Sequence, residues 1–569
     1  MKLHVGFCCV ITLGALAIAT AASSQQSSLQ NAISPDCMAT SFDNRLPGDP
    51  PLTFQAAACR SFIAFQWATL QETGTDLERI AAVAAAGNGE LQRLEDARRA
   101  LISDLRQEEQ IEQALRQEGK LEEADIRLRS IDTKRAALTS ADRTLAQRFP
   151  NYLDLARPAP VSVIDLQARL KPNEVLVAFL TTESGTFVWA VKQSGLEWHH
   201  IPVLTKAALA DRVERLRNDI DSPTGEFDRG LARQLYAALF NPIGASIRGA
   251  ERLIIVPSGP LASLPFAVLD TAAPSNERPA WMSDRFTLST LPGVSAIRLY
   301  RCLPSDGTCR TPPSGVVTPL PPAIDYVGIG APALEGEPLA VGRGQRLTGV
   351  LTISASMSNS PDKALLLQQR RLPFADQELQ QIAATFGSRA RLLRGAQATE
   401  TAVRSLQELR TARFISFATH GVTAGSTSRL TEPGLILTPP VIQSATEDGY
   451  LAASEIAALR LNARLVALSA CNTLVAGAEA GTRRPDGVGL ASLNNAFLFA
   501  GARGVLASHW QVNDEATAQL MSDVFRRLSE NSQLNGADAL RQSMAALRRD
   551  PTFQHPYFWA AFSYGGDPG

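Results

Sequence analysis

The chain lacks a charge bias: 55 Lys and Arg stand against 56 Asp and Glu, a formal net charge of −1. Its arginines are scattered and form no long basic run. Nucleic-acid binding needs a concentrated positive surface, so this distribution argues against nucleic acid as a main partner. Beyond Ala22 no apolar stretch is long enough to cross a bilayer, which argues against a stable membrane span once the leader described below is removed. There is no glycine-rich loop followed by Lys and Ser/Thr, hence no sign of a nucleotide site. His199 and His200 adjoin an apolar stretch, and their spacing to any Cys or further His does not fit a metal site. No metal and no cofactor is expected.

What the sequence does have begins at its first residues. A short basic start, an apolar run from Val5 to Ala19 and the small residues Ala19-Thr20-Ala21-Ala22 read as a secretory signal peptide over residues 1–22. A periplasmic or secreted location is therefore expected. Five of the seven cysteines follow it. Cys37 with Cys59 and Cys302 with Cys309 form two local pairs able to close loops, which leaves Cys471 over. An odd thiol in an exported chain is either reactive, paired with another molecule, or buried and inert.

Length allows roughly two to four domains. Residues 23–60, polar and proline-containing to about Pro51, are expected to be poorly ordered. From 61 to 157 the composition shifts to Ala, Leu, Glu, Gln and Arg, with Leu91, Leu94, Leu101 and Leu105, then Ile131, Leu138 and Leu145 at helical spacing. Glu118-Gly119-Lys120 supplies a stop between them, so the region reads as an α-helical hairpin or a short coiled coil. Gly119 to Ala124 is similar to the turn of a tetratricopeptide repeat, but no second copy follows at the period an array requires. The helices would either recruit a protein partner or pack as a stalk for the domain that follows.

Pro158-Ala159-Pro160 marks a boundary, and residues 158–569 alternate short apolar runs with helical stretches. Strands are predicted at Glu174 to Phe179, Phe187 to Val191, Leu253 to Val256, Tyr326 to Gly330, Phe414 to Phe417, Leu465 to Leu468 and Gly504 to Ala507. Helices are predicted at Asp376 to Phe386, Thr399 to Leu409 and Glu515 to Leu528, and insertions 304–322 and 336–361 read as surface loops. This interleaving predicts an α/β fold with a mainly parallel sheet covered by helices.

Ligands of such sheets bind at the carboxyl ends of strands. His420 follows one predicted strand and Cys471 another, so parallel pairing would bring both to one edge. An imidazole that takes the thiol proton makes an effective nucleophile and can later protonate a leaving amine. The flanking residues go further. Ala418-Thr419-His420-Gly421 and Leu468-Ser469-Ala470-Cys471-Asn472-Thr473 resemble the two active-site motifs of the CHAT family of caspase-like domains. Gly487 to Ala491, Ala496 to Val505, Ser508 to Asp514, His555 to Phe562 and, upstream, Gly259 to Phe266 are similar to further family segments. The resemblance covers about Val161 to Gly566.

The resemblance implies a caspase-like fold and a cysteine endopeptidase of protein or peptide substrates, with Cys471 as nucleophile and His420 as acid/base. Gly421 and the backbone amide of Cys471 would form the oxyanion hole, since a glycine leaves room for a backbone donor to approach the substrate carbonyl. Asp514 lies at a position similar to one where separases bind a basic side chain before the cleaved bond. Asn513 or Asp514 would equally serve as a helix N-cap. Ser469 would line the same pocket, and Asp486 would contact substrate or sit solvated in its loop. His509 and His555 belong to the family-like segments and are expected to pack. A catalytically idle domain acting as a protein-interaction module remains the alternative.

Overall fold

A computed structural model describes residues 37–38, 53–69, 89–117, 120–148, 159–273, 278–301, 303, 324–335, 363–369, 371–422, 433–444, 447–470, 478–479, 482–483, 488–510 and 513–569. The leader, Cys302, Cys309, Cys471, Asp486 and the two insertions lie outside the described residues.

The strands, in chain order, are β1 (Glu174–Thr182), β2 (Gly185–Lys192), β3 (Gly195–Ile201), β4 (Arg252–Val256), β5 (Thr287–Thr290), β6 (Tyr326–Pro332), β7 (Ala390–Gly395), β8 (Phe414–Thr419), β9 (Gly421–Val422), β10 (Gly434–Ile436), β11 (Tyr450–Ala452), β12 (Leu465–Ala470), β13 (Ala478–Glu479), β14 (Thr482–Arg483), β15 (Gly504–Ser508) and β16 (Phe562–Gly566). Eleven of them form one sheet in the order β3-β2-β1-β4-β5-β16-β15-β12-β8-β6-β7. All seven strands read from the sequence are in it. The sheet is mainly parallel, with antiparallel pairing at β1–β2, β2–β3 and β15–β16. Because β16 is parallel to β5 and antiparallel to β15, the two parallel halves run in opposite directions. Strands β3, β5, β7 and β16 escape the sequence reading because they are short or lie at an edge, where the apolar alternation fades.

Both faces of the sheet are covered, which is why its central strands read as nearly continuous apolar runs. On one face, helices Lys206–Ile220, Arg229–Phe240, Pro373–Phe386, Asp514–Glu530 and Gly536–Leu547 pack over Val177, Ile255, Phe414, Leu465, Ala467 and Leu506. On the other, helices Ala453–Ala458 and Val488–Ala500 cover Ile329, Ile415, Val466, Leu468 and Val505. The helix predicted over Thr399 to Leu409 is shorter, spanning Glu400–Ser405 and followed by a 3₁₀ turn at Gln407–Arg410.

The N-terminal boundary moves. Residues 54–69 form a helix that crosses the boundary drawn at residue 60, inside the segment expected to be poorly ordered. Its apolar face explains this: Ala58, Cys59, Phe62 and Phe65 pack with Leu176, Ala178 and Trp189, and Phe65 stacks on Trp189 with ring centroids 4.9 Å apart. The Gln66 amide brackets Val161, donating to its carbonyl at 2.9 Å and accepting from its amide at 2.8 Å. A disulfide joins Cys37 to Cys59, one of the two pairs proposed from spacing.

Helices Gly89–Gln117 and Leu121–Arg148 form the expected hairpin. Ion pairs from Arg127 to Glu108 (3.1 Å) and Arg135 to Glu109 (2.8 Å), together with Arg98–Asp142, tie the two antiparallel helices. Ile131 and Leu145 are buried, and Leu145 and Leu94 join the cluster under the second face of the sheet. The hairpin is thus docked on the α/β domain. Among the described residues no helix is long and apolar enough to cross a membrane.

Candidate active site

Strands β8 and β12 are parallel neighbours in continuous register, from Phe414 opposite Leu465 to Thr419 opposite Ala470. The next residue of β8 is His420, and the next of β12 is Cys471. The two strands therefore end in step, at the carboxyl edge where an open parallel sheet binds its ligands. Cys471 itself lies outside the described residues.

At His420 the chain leaves the large sheet for a small one. Strand β9 pairs antiparallel with β10, placing Gly421 opposite Leu435, and β10 pairs with β11. Ile436 donates its amide to the His420 carbonyl at 2.9 Å, and the Thr419 hydroxyl donates to the Ile436 carbonyl. His420 is buried, as is Gly421. The turn-off is thus held by a main-chain bond at the histidine and by a side-chain bond from the residue before it. On the other flank, β6 approaches β8 so closely that a Cβ on Gly330 would lie 2.0 Å from the Ala418 carbonyl oxygen. The register shifts between Gly330 and Pro332, and Ala331 adopts φ 44°, a left-handed conformation unfavourable for a side-chain-bearing residue. Such strain persists where surrounding packing over-determines it and gathers at functional sites.

Ser469, two positions before Cys471, points to the face covered by helix Pro373–Phe386. Its hydroxyl donates to Glu378 Oε1 at 2.7 Å. Glu378 is only 3% exposed. The sequence reading named Ser469 and missed Glu378, although a signal was present. Glu378, Ile382 and Phe386 follow one another at a spacing of four, so a carboxylate interrupts an apolar stripe. Buried carboxylates need partners, so an acid at such a position marks a polar contact in the interior.

Helix Asp514–Glu530 follows β15 and starts at the same edge. Its N-cap is Asn513, whose side chain accepts from the Ala516 amide at 2.9 Å. Asp514 is its first residue. The capping role that the sequence left open between the two thus falls to Asn513. Asp486 lies outside the described residues, so it is neither brought to this edge nor removed from it.

Among the described residues, the other histidines make structural contacts. His509, directly after β15, is 3% exposed; burial, with Arg217 beside it, holds its imidazole down at about 3. Arg217 donates to the His509 carbonyl at 2.9 Å. Burial lowers His555 to about 4, and its Nδ1 accepts the Tyr557 amide. His199 meets Glu197 at 3.1 Å, and His200 stacks on Phe187. Among the described residues no group of three His, Cys, Asp or Glu could hold a metal ion.

A buried imidazole at the end of one strand, level with the end of its parallel neighbour, is an arrangement suited to proton transfer with a group borne on that neighbour. Comparison with known proteins bears on which family uses it here. Residues 229–567 match the CHAT domain. Tetratricopeptide repeat protein 28 of Mus musculus is 28% identical over 374 residues, covering 59% of this chain and 13% of that protein. The chain thus spans a small part of that relative. Among solved structures, the Saccharomyces cerevisiae separase–securin complex is similar over 90% of this chain and 40% of that one, at 9% identity and a TM-score of 0.41. The Arg-specific cysteine proteinase gingipain R (RgpB) of Porphyromonas gingivalis is similar over 70% of this chain and 78% of its own, at 10% identity and a TM-score of 0.32. With the CHAT domain matched over more than half of its length, this chain belongs to the CHAT domain family.

Proposed function

We propose that the protein is an exported cysteine endopeptidase working through a Cys471/His420 dyad. The observation that carries the reading is the register of β8 and β12, in which Thr419 faces Ala470 and the two dyad residues come next. His420 accepts the Cys471 thiol proton, and Sγ attacks the carbonyl carbon of the substrate. The amides of Gly421 and Cys471 receive the oxyanion. His420 then gives its proton to the leaving nitrogen as the C–N bond breaks, leaving a thioester. Water, deprotonated by the same imidazole, attacks the thioester and releases the carboxylic acid and the thiol.

Substrate is a protein or peptide whose chain lies along the carboxyl edge. Asp514, freed from capping by Asn513, receives a basic side chain before the cleaved bond, Ser469 lines the pocket, and Asp486 contacts substrate from its loop. Export rests on the leader at residues 1–22 and is supported by the Cys37–Cys59 disulfide, a bond that persists in oxidising compartments. A second reading, an idle domain serving protein interaction, is favoured by the docked hairpin, which presents Ile126 (58% exposed) and Leu128 (37% exposed) among charged residues.

A thiol-reactive peptide probe separates the two readings. The native chain is expected to label at Cys471, and His420→Ala to label at least about a hundredfold more slowly, with thermal unfolding unchanged. Equal labelling of the native chain and His420→Ala would leave the module reading standing.

A further inference from the structure

The strands that end at the candidate active site begin, at the opposite edge of the sheet, with a row of arginines. Arg413 precedes β8, Arg464 precedes β12 and Arg503 precedes β15, and these are three consecutive parallel neighbours. Their registers match: Leu465 faces Phe414, and Val466 faces Val505. Main-chain bonds lock the row, from the Arg464 amide to the Arg413 carbonyl at 2.7 Å and from the Arg503 amide to the Ala463 carbonyl at 2.9 Å.

Arg413 pairs with the buried Asp325 at 3.1 Å, a carboxylate that also holds Arg389. Arg464 and Arg503 have no carboxylate partner among the described residues. Arg464 donates to the Leu534 carbonyl at 3.2 Å and lies over the Phe414 ring, 5.9 Å from its centroid. Its ionisation falls below the ordinary range because burial strips it of water and because Arg413 and Arg503 stand beside it. Like charges set side by side in a partly dry place are destabilising unless an anion joins them.

The space for one is present. A cavity of about 390 Å³ opens between the Arg464 and Arg503 side, the amino end of helix Gly536–Leu547 and the segment after β16. That is within the range of small-molecule sites. Asp567 and Gly569 also line it, and both are engaged: Asp567 Oδ1 accepts from Arg301 at 3.0 and 2.6 Å, and Lys171 donates to a Gly569 oxygen. The helix that begins at Gly536 turns its positive end toward the same space. A Cβ on Gly536 would strike the Tyr564 ring at 2.6 Å, so glycine keeps this wall close-packed.

We propose that this cavity binds a small phosphate-bearing anion, gripped between the Arg464 and Arg503 guanidinium groups. Planar guanidinium pairs suit phosphate oxygens, each offering parallel N–H donors. The shared chemistry is the phosphate group, whether free or carried on a small organic molecule. Neither arginine belongs to the candidate active site, so the proposal stands apart from the peptidase reading.

Isothermal titration of the full chain with inorganic phosphate and with adenosine 5′-monophosphate tests it, at ionic strength matched with sodium chloride. Saturable binding is expected, with a rise in unfolding temperature, and Arg464→Gln is expected to weaken it about tenfold, as loss of one charge-assisted contact does. Arg503→Gln, at an exposed position, is expected to weaken it similarly with the unfolding temperature of the unliganded chain unchanged. Stronger binding of the nucleotide than of phosphate would identify an organic phosphate, and the reverse a free one. Cys471→Ala is expected to bind as the native chain does. Absence of saturable binding by both probes, or equal binding by native chain and Arg503→Gln, would overturn the proposal.

Discussion

At the carboxyl edge of β8 and β12 the polar groups are buried and tied to protein partners; at the amino edge of the same strands, arginines face a cavity. Thr419, His420, Ser469 and Glu378 share bonds with neighbouring main chain or side chains, whereas among the described residues Arg464 and Arg503 have each other, the Leu534 carbonyl and the Phe414 ring but no carboxylate. Between the edges, Val466, Ala467 and Leu468 are wholly buried and apolar. One pair of strands thus confines its chemistry to its two ends. A closed edge preorganises groups for reaction, while an open edge keeps them for a ligand that is absent from the chain itself.

The largest expected effect that would sharpen this contrast concerns Asp514. If the carboxyl edge takes a cationic side chain, Asp514→Asn should lower kcat/KM for peptides with Arg or Lys before the cleaved bond by about 10–100-fold, and for neutral residues far less. Helix stability should hold, because Asn513 keeps the cap. An unchanged preference across a peptide panel removes Asp514 from the pocket.

A smaller effect tests whether the carboxyl edge keeps its groups neutral. His509 has a folded pKa of about 3, below its unfolded value. The unfolded chain therefore binds more protons as pH falls below about 6.5, and the stability contributed by the neutral imidazole, complete above that pH, declines toward pH 3. Between pH 7 and pH 4.5, urea unfolding of the native chain should lose about 2 kcal/mol on account of His509, beyond what His555 contributes. In His509→Gln that part of the decline should vanish. A native chain with flat stability over this interval would remove the neutral histidine from the comparison.

The smallest effect lies at the Ser469–Glu378 bond. Ser469→Ala leaves the buried carboxylate short of one donor and should cost about 1–2 kcal/mol of unfolding free energy, with Ser469→Thr restoring most of it. No change in unfolding would show that Glu378 is satisfied without Ser469.

Much of the fold was legible. The central strands declared themselves because burial on both faces demands unbroken apolar runs, as in Leu253–Val256 and Leu465–Leu468. The hairpin declared itself through its 3.6-residue period. Residues 54–60, the start of the helix that runs to 69, did not, because their polar flank resembles disorder while the apolar side finds partners such as Trp189 and Leu176 far along the chain. Glu378 was hidden for the same reason: its partner Ser469 is 91 residues away.

By itself the sequence determined which residues could carry chemistry, since a histidine, a cysteine and the short motifs around them are local facts, and apolar runs next to them mark strand ends. Only the tertiary structure decided that β8 and β12 lie side by side in register, that Asn513 caps while Asp514 does not need to, and that arginines spread over 90 residues form one row. Such facts depend on pairing between distant strands, and the energy that chooses a pairing comes from burying both faces of the whole sheet, a quantity no local stretch contains.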